Sequence, residues 1–221
     1  MRIVLLTGRN CLATVMVLRK LFEVREISEI MVVFEEKDIK LIQLLKRQIK
    51  NIKKHGILWI PIRTYEAITD VISNMRNQIR NIFKFPMYAN GYCDSLEKLQ
   101  KIYPFLLYRT RNIHCKDSIH AIKKFMPVLG IVCGTGILKP SVFDIPLKGS
   151  INLHKGKAPH YRGQPPAFWE LWNGESEVGI TVHLVVEELD AGDIVLQDTI
   201  PIRRYDTLSS LQGKLDRLGA D

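Results

Sequence analysis

Strand-length apolar runs alternate with segments of helical periodicity along most of this chain, and that alternation admits few architectures. Arg2-Ile-Val-Leu-Leu-Thr7 is a short apolar run ending at Gly8, and Cys11 to Phe22 follows with apolar residues at helical spacing. Ser28 to Glu35 contains Ile-Met-Val-Val-Phe, a second buried strand, and Lys37 to Lys54 is a long amphipathic helix. Trp59-Ile-Pro-Ile62 reads as a third short strand. Further on, Asp117 to Phe125 predicts a helix, Pro127 to Cys133 a strand, and Ser150 to His154 another strand. Pro166 to Asn173 predicts a helix, with strands at Ile180 to Val186 and Ile194 to Ile200. Strands and helices in this order build an α/β fold, a mostly parallel sheet flanked by helices. Residues 64–104 break the rhythm: they are polar and helical in character, with Pro86, Asn90 and Gly91 marking a turn, and they read as a helical insertion over one sheet edge. The expected domain is therefore 1–205, with 206–221 opening a C-terminal helical segment from Thr207.

Bulk properties narrow the function classes. A chain of 221 residues, 46% hydrophobic and 25% charged, is in the ordinary range for one soluble globular domain. No apolar run approaches the roughly 20 residues that span a bilayer, and the start lacks a signal-peptide core and cleavage site. Cys11, Cys93, Cys115 and Cys133 are scattered, with no CxxC and no metal-like spacing. The expectation is a reduced, cytoplasmic protein without a metal or a membrane partner. The net charge of +9 admits an anionic partner. Lys46, Arg47, Lys50, Lys53 and Lys54 alternate with Leu41, Leu44, Leu45, Ile49 and Ile52, as on the solvated face of an amphipathic helix. No aromatic residues interleave these charges, so a nucleic-acid surface is not expected, while small anionic ligands fit.

Open α/β sheets bind ligands beyond the carboxyl ends of their strands. Gly134 to Leu138, Asn152 to Arg162 and Asp190 to Asp193 all fall at such ends. Asn152 and His154 stand two apart on a strand and share a face; Asp190 follows in a Gly-containing turn. An amide donor, an imidazole and a carboxylate that orients it are the parts needed for acyl transfer to an amine. Each residue also has a plainer reading. His154 would be a strand-end histidine bonding a carbonyl, Asn152 a cap on a bulge, and Asp190 a turn-former. His183 shares parity with Thr181 and Val185 and reads as a buried, satisfied histidine. Gly134-Thr-Gly136 is too short for a phosphate fingerprint and would let a flat ligand or another backbone approach closely. Gly8 to Cys11 reads as an ordinary strand-to-helix turn rather than a phosphate site.

Asn152-Leu-His154, the loop ending Tyr161-Arg-Gly163, and Thr181-Val-His-Leu-Val-Val-Glu-Glu-Leu-Asp-Ala-Gly192 resemble the folate-dependent formyltransferase family. That family includes glycinamide ribonucleotide, methionyl-tRNA and nucleotide-linked amino-sugar formyltransferases. Order and spacing agree over about residues 127–200, only the architecture agrees over 1–60, and residues 64–104 lie outside the resemblance. It implies a Rossmann-like fold that takes a formyl group from 10-formyltetrahydrofolate and passes it to a primary amine. It implies Asn152, His154 and Asp190 as catalytic residues. It also implies that Gly134, Thr135, Gly136, Ile137 and Leu138 hold the pterin through their backbone, with His183 and Asp193 beside the cofactor.

Where most members have Ser-Leu-Leu-Pro after the histidine, this chain has Lys155-Gly-Lys-Ala-Pro159. Lys155, Lys157, Tyr161, Arg162 and Gly163 form the expected acceptor side. The chain ends 67 residues after His154, short of the C-terminal barrel with which methionyl-tRNA formyltransferases hold tRNA. The expected acceptor is thus a small anionic amine. A nucleotide-linked 4-amino sugar comes first, its diphosphate facing Lys155, Lys157 and Arg162; glycinamide ribonucleotide comes second and methionyl-tRNA after it. A homodimer is compatible with all of these. A non-catalytic folate-binding module is the reading from another class, and an intact Asn152, His154 and Asp190 weigh against it.

Overall fold

The computed structural model describes residues 1–8, 12–36 and 96–221. Seven strands form one sheet: β1 (Arg2–Thr7), β2 (Glu29–Glu35), β3 (Leu106–Thr110), β4 (Leu129–Cys133), β5 (Ser150–His154), β6 (Glu177–Leu184) and β7 (Ile194–Pro201). Their spatial order is β3-β2-β1-β4-β5-β6-β7. The pairs from β3 through β5 are parallel, and β6 and β7 join antiparallel. The mostly parallel sheet expected from the alternation is therefore present.

β1 is central and covered on both faces, which is why it reads as an unbroken apolar run rather than an alternating one: Ile3, Val4, Leu5 and Leu6 are all buried. Ile30, Met31, Val32 and Val33 of β2 are buried for the same reason. Six helices flank the sheet among the described residues: α1 (Leu12–Glu23), α2 (Leu96–Gln100), α3 (Lys116–Phe125), α4 (Pro140–Phe143), α5 (Phe168–Trp172) and α6 (Leu208–Leu218). One core layer joins Val4, Leu6, Met31, Val33 and Val132 of the strands to Ile122 and Phe125 of α3 and Val142 and Phe143 of α4. α6 starts at a Thr207–Ser210 capping box and packs against α1, β6 and β7.

Two expectations shift. The strand beside β2 is β3, which the sequence pattern did not single out. It is a sheet edge with Leu106 exposed and Arg109 paired to Glu36 and Glu97, so its apolar run, Phe105 to Tyr108, is short and ends at a charge. The strand expected at Trp59 to Ile62, the helix at Lys37 to Lys54 and most of the 64–104 stretch lie outside the described residues. No helix among the described residues is long and apolar enough to cross a membrane.

From β1 the chain builds outward to β2 and β3, then crosses to β4 and β5 on the other side. This reversal beside β1 is the switch point at which such sheets open a crevice. It sets the loop after β4 next to the carboxyl end of β5.

Candidate active site

The last residues of β5 carry the site. Asn152 and His154 flank buried Leu153, so their side chains leave one face together. On β6, His183 pairs with Asn152 and Thr181 with His154. Residues 185–193 then bring Asp190 back to the same spot, at a φ of 48°. Asp tolerates this left-handed backbone better than most residues, and such conformations concentrate at functional sites.

Asp190 is the hub, its side chain only 8% exposed. Oδ1 accepts from Asn152 Nδ2 at 3.3 Å and Oδ2 from the Gly163 N–H at 2.9 Å. His154 Nδ1 lies 3.4 Å from Oδ2, and His183 Nε2 lies 3.4 Å from Oδ1. Burial pushes the Asp190 carboxyl up, but the bond from His183, the charge of His154 and the Gly163 N–H outweigh it and hold the group below its ordinary value. The same contact with Asp190 raises His183 against the opposing effect of burial. A buried carboxylate thus stays ionised between two imidazoles.

Hydrogen-bond roles fix much of the rest. A carbonyl only accepts, so His183 Nδ1 donates to Leu184 O at 2.8 Å. Its Nε2 then takes a hydrogen from Asn152 Nδ2 at 3.1 Å in the neutral ring. His154 Nε2 donates to Tyr161 O at 2.7 Å. With Tyr161 O on one side and the Asp190 carboxylate on the other, the His154 ring is held at both nitrogens. In this resting arrangement both hydrogens of the Asn152 amide and the Nε2 donor of His154 are engaged.

The loop from Lys155 to Gly163 closes over the imidazole. Gly156 permits this, because a Cβ there would sit 2.4 Å from Tyr161 O and 2.6 Å from His154 Nε2. Thr181 Oγ1 donates to Gly156 O at 2.7 Å and accepts from the Ala158 N–H at 3.1 Å. Gln197 donates to Ala158 O at 2.9 Å. Tyr161 and Gly163 reach the trio through main-chain atoms, while the Tyr161 hydroxyl donates to Glu175 at 2.6 Å. The charges of Lys155, Lys157 and Arg162 point elsewhere: Lys155 pairs with Asp216 of α6, Lys157 with Glu177 and Arg162 with Glu188.

Gly134 to Leu138 follows β4, adjacent to β5. Leu138 is buried, whereas Ile137 is 73% exposed. Asp193 is exposed, and its carbonyl accepts from the Leu184 N–H at 2.9 Å. Gly8 lies against Gly134, with a Cβ at Gly8 standing 3.5 Å from Gly134 O; the rest of the Gly8 to Cys11 turn lies outside the described residues. Among the described residues no group of three or more His, Cys, Asp or Glu could hold a metal. A groove of about 600 Å³ lined by Arg2, Lys123, Val128 and Leu147 opens at the amino ends of β1 and β4, away from this cluster. Sequence reading did not single out Gly156 or the Tyr161 carbonyl. The only signal was a glycine two residues after the histidine.

The fold is that of a doubly wound α/β protein, and this cluster at the end of β5 is its candidate site. The formyl transferase family profile matches residues 64–220, more than half of the chain, and the chain belongs to that family. This match begins well before the motifs that carry the resemblance and takes in the 64–104 stretch.

Methionyl-tRNA formyltransferase of Geobacter sulfurreducens is 39% identical over 110 residues, 49% of this chain and 35% of that protein. The Kosmotoga olearia enzyme of the same name is 33% identical over 125 residues, 56% of this chain and 40% of that protein. The chain thus matches little more than a third of the length of these relatives. Among solved structures, glycinamide ribonucleotide transformylase 1 from Symbiobacterium toebii superposes with a TM-score of 0.65 at 14% identity, over 100% of this chain and 82% of that one. A sugar N-formyltransferase from a Shewanella species gives 0.57 at 16% identity, over 100% of this chain and 65% of that one. At such identities the likeness is one of fold.

Proposed function

We propose that this chain transfers a formyl group from 10-formyltetrahydrofolate to a primary amine, with Asn152, His154 and Asp190 around the reacting atoms. The observation that carries this reading is the buried Asp190 carboxylate, which engages both the amide and the imidazole. In the transfer, the amine nitrogen forms a bond to the formyl carbon, and the bond from that carbon to the folate nitrogen breaks. The amine loses one proton and the folate nitrogen gains one. Between these events the formyl oxygen carries negative charge, which Asn152 Nδ2 and His154 Nε2 stabilise by hydrogen bonding. Asp190 orients the imidazole and stands within reach of the departing amine proton.

The resting geometry adds a requirement. His154 Nε2 is spent on Tyr161 O, so the formyl oxygen has to take the place of that carbonyl. Productive binding therefore includes a displacement of the loop around Tyr161. Gly134 to Leu138, with Ile137 bare at its tip, is the stretch of backbone available to the pterin beside β5. Cys115 and Cys133 form no disulfide, which suits a reducing compartment such as the cytoplasm.

For the acceptor, a nucleotide-linked amino sugar is the first reading. Lys155 and Lys157 are tied to the scaffold, so phosphate recognition at this loop falls to Arg162, whose ion pair is with the well-exposed Glu188, a partner that a phosphate would displace. Methionyl-tRNA is the second reading, favoured by the relatives of that name. The test is incubation with 10-formyltetrahydrofolate and a panel of nucleotide-linked amino sugars, glycinamide ribonucleotide and methionyl-tRNA, read by the mass of one added formyl group. The expected product is a formylated sugar nucleotide. Formylation of methionyl-tRNA alone would overturn the small-acceptor reading, and no transfer with no folate binding would overturn the function.

A further inference from the structure

The end of the Gly134 to Leu138 loop is fastened from an element that carries none of the motifs. The Lys139 N–H donates to His114 Nε2 at 3.1 Å. Lys139 is the N-cap of α4 and makes no side-chain cap bond of its own. The histidine side chain is thus what holds the backbone where the loop turns into the helix.

His114 stands in the turn between β3 and α3, and that turn is built to hold it. The His114 N–H donates to Asn112 Oδ1 at 3.0 Å, and the Asn112 N–H donates to Thr110 Oγ1 at 3.1 Å. Ser118 Oγ donates to Thr110 Oγ1 at 2.9 Å, and the Ile113 N–H donates to the buried Glu35 carboxylate at 3.1 Å. The loop itself has little comparable support. Its Thr135 hydroxyl donates within the loop, to Gly136 O at 2.8 Å, and Gly134, Gly136 and Ile137 are exposed. Burial of Leu138 and the His114 bond anchor the far end.

We infer that His114 is a positioning residue for the formyl donor, setting where the Gly134 to Leu138 backbone is presented to it. This rests on the formyl-transfer reading, under which that loop faces the pterin. His114 touches no reacting atom; it acts through the Lys139 N–H, and the role needs a lone pair on Nε2. Alanine removes that acceptor, whereas glutamine places an amide oxygen at nearly the same reach.

The test compares His114→Ala and His114→Gln by steady-state formyl transfer and by hydrogen exchange at the Lys139 amide. A lost hydrogen bond that strands its donor predicts a rise of about tenfold in KM for 10-formyltetrahydrofolate in the alanine variant. The fall in kcat should be much smaller, with faster Lys139 exchange and most of both effects reversed by glutamine. An unchanged KM in His114→Ala would overturn the positioning role while leaving the transfer reading intact. So would a loss of thermal stability in both variants without the split between KM and kcat. Failure of the wild-type protein to bind the folate would instead sink the transfer reading, and the positioning role with it.

Discussion

Asp190 has four polar partners around one carboxylate, and the pH behaviour of the cluster follows from them. The Asp190 carboxyl is held below its ordinary value of 3.8, so its contribution to stability is complete above that value and fades as pH falls through the depressed one. His183 is raised above 6.5, so its contribution is complete below 6.5 and fades as pH rises through the raised value. The pair is strongest between those limits. Replacing His183 by Gln is therefore expected to cost about 1 kcal/mol near pH 5.5 and clearly less near pH 8.5. Equilibrium unfolding at the two pH values checks this, and an equal cost at both would contradict it. The sequence pattern pointed to this cluster because an amide in mid-strand two residues from a histidine is costly without a use. It could not reveal that Tyr161 O would occupy His154 Nε2, since that depends on loop closure permitted by Gly156.

Elements whose burial is simple were the legible ones. β5 has the bounds expected from Ser150 to His154, and α3 opens one residue before its expected start. The edge strand β3 escaped although Phe105-Leu-Leu-Tyr108 is apolar, because Arg109 cuts that run short directly after the polar 64–104 stretch. α5 shows the opposite difficulty, a charge where periodicity asks for an apolar residue. Glu170 is 1% exposed, its Oε1 has no hydrogen-bond partner, and burial pushes its carboxyl up. A raised group contributes its stability below 4.5 and loses it as pH rises through the shifted value. Glu170→Leu, which removes the stranded oxygen and keeps the volume, is expected to stabilise the protein by about 1 kcal/mol at pH 8 and by less at pH 5. Thermal melts of both proteins across that range decide it; destabilisation at pH 8 would mean that the carboxylate has a partner when ionised.

At the scale of the whole molecule, the α/β class was readable because a parallel sheet buried on both faces leaves continuous apolar strands between helical segments. The same rule covered the segments after β4 and β5, Gly134 to Leu138 and Asn152 to Arg162, but not Asp190: β6 is antiparallel, its carboxyl end lies beside the start of β5, and residues 185–193 bring Asp190 back to the cluster. The acceptor was not readable, because the loop that departs from the family pattern directs Lys155 and Lys157 to Asp216 and Glu177 rather than to open solvent. The account stands on His154 as a donor to the formyl oxygen. Its most direct test is the rate of formyl transfer from 10-formyltetrahydrofolate in the wild type and in His154→Ala, with circular dichroism confirming that the variant is folded. The predicted result is a loss of about 10²–10³ in rate with the fold retained. Near-full turnover by folded His154→Ala would contradict the account.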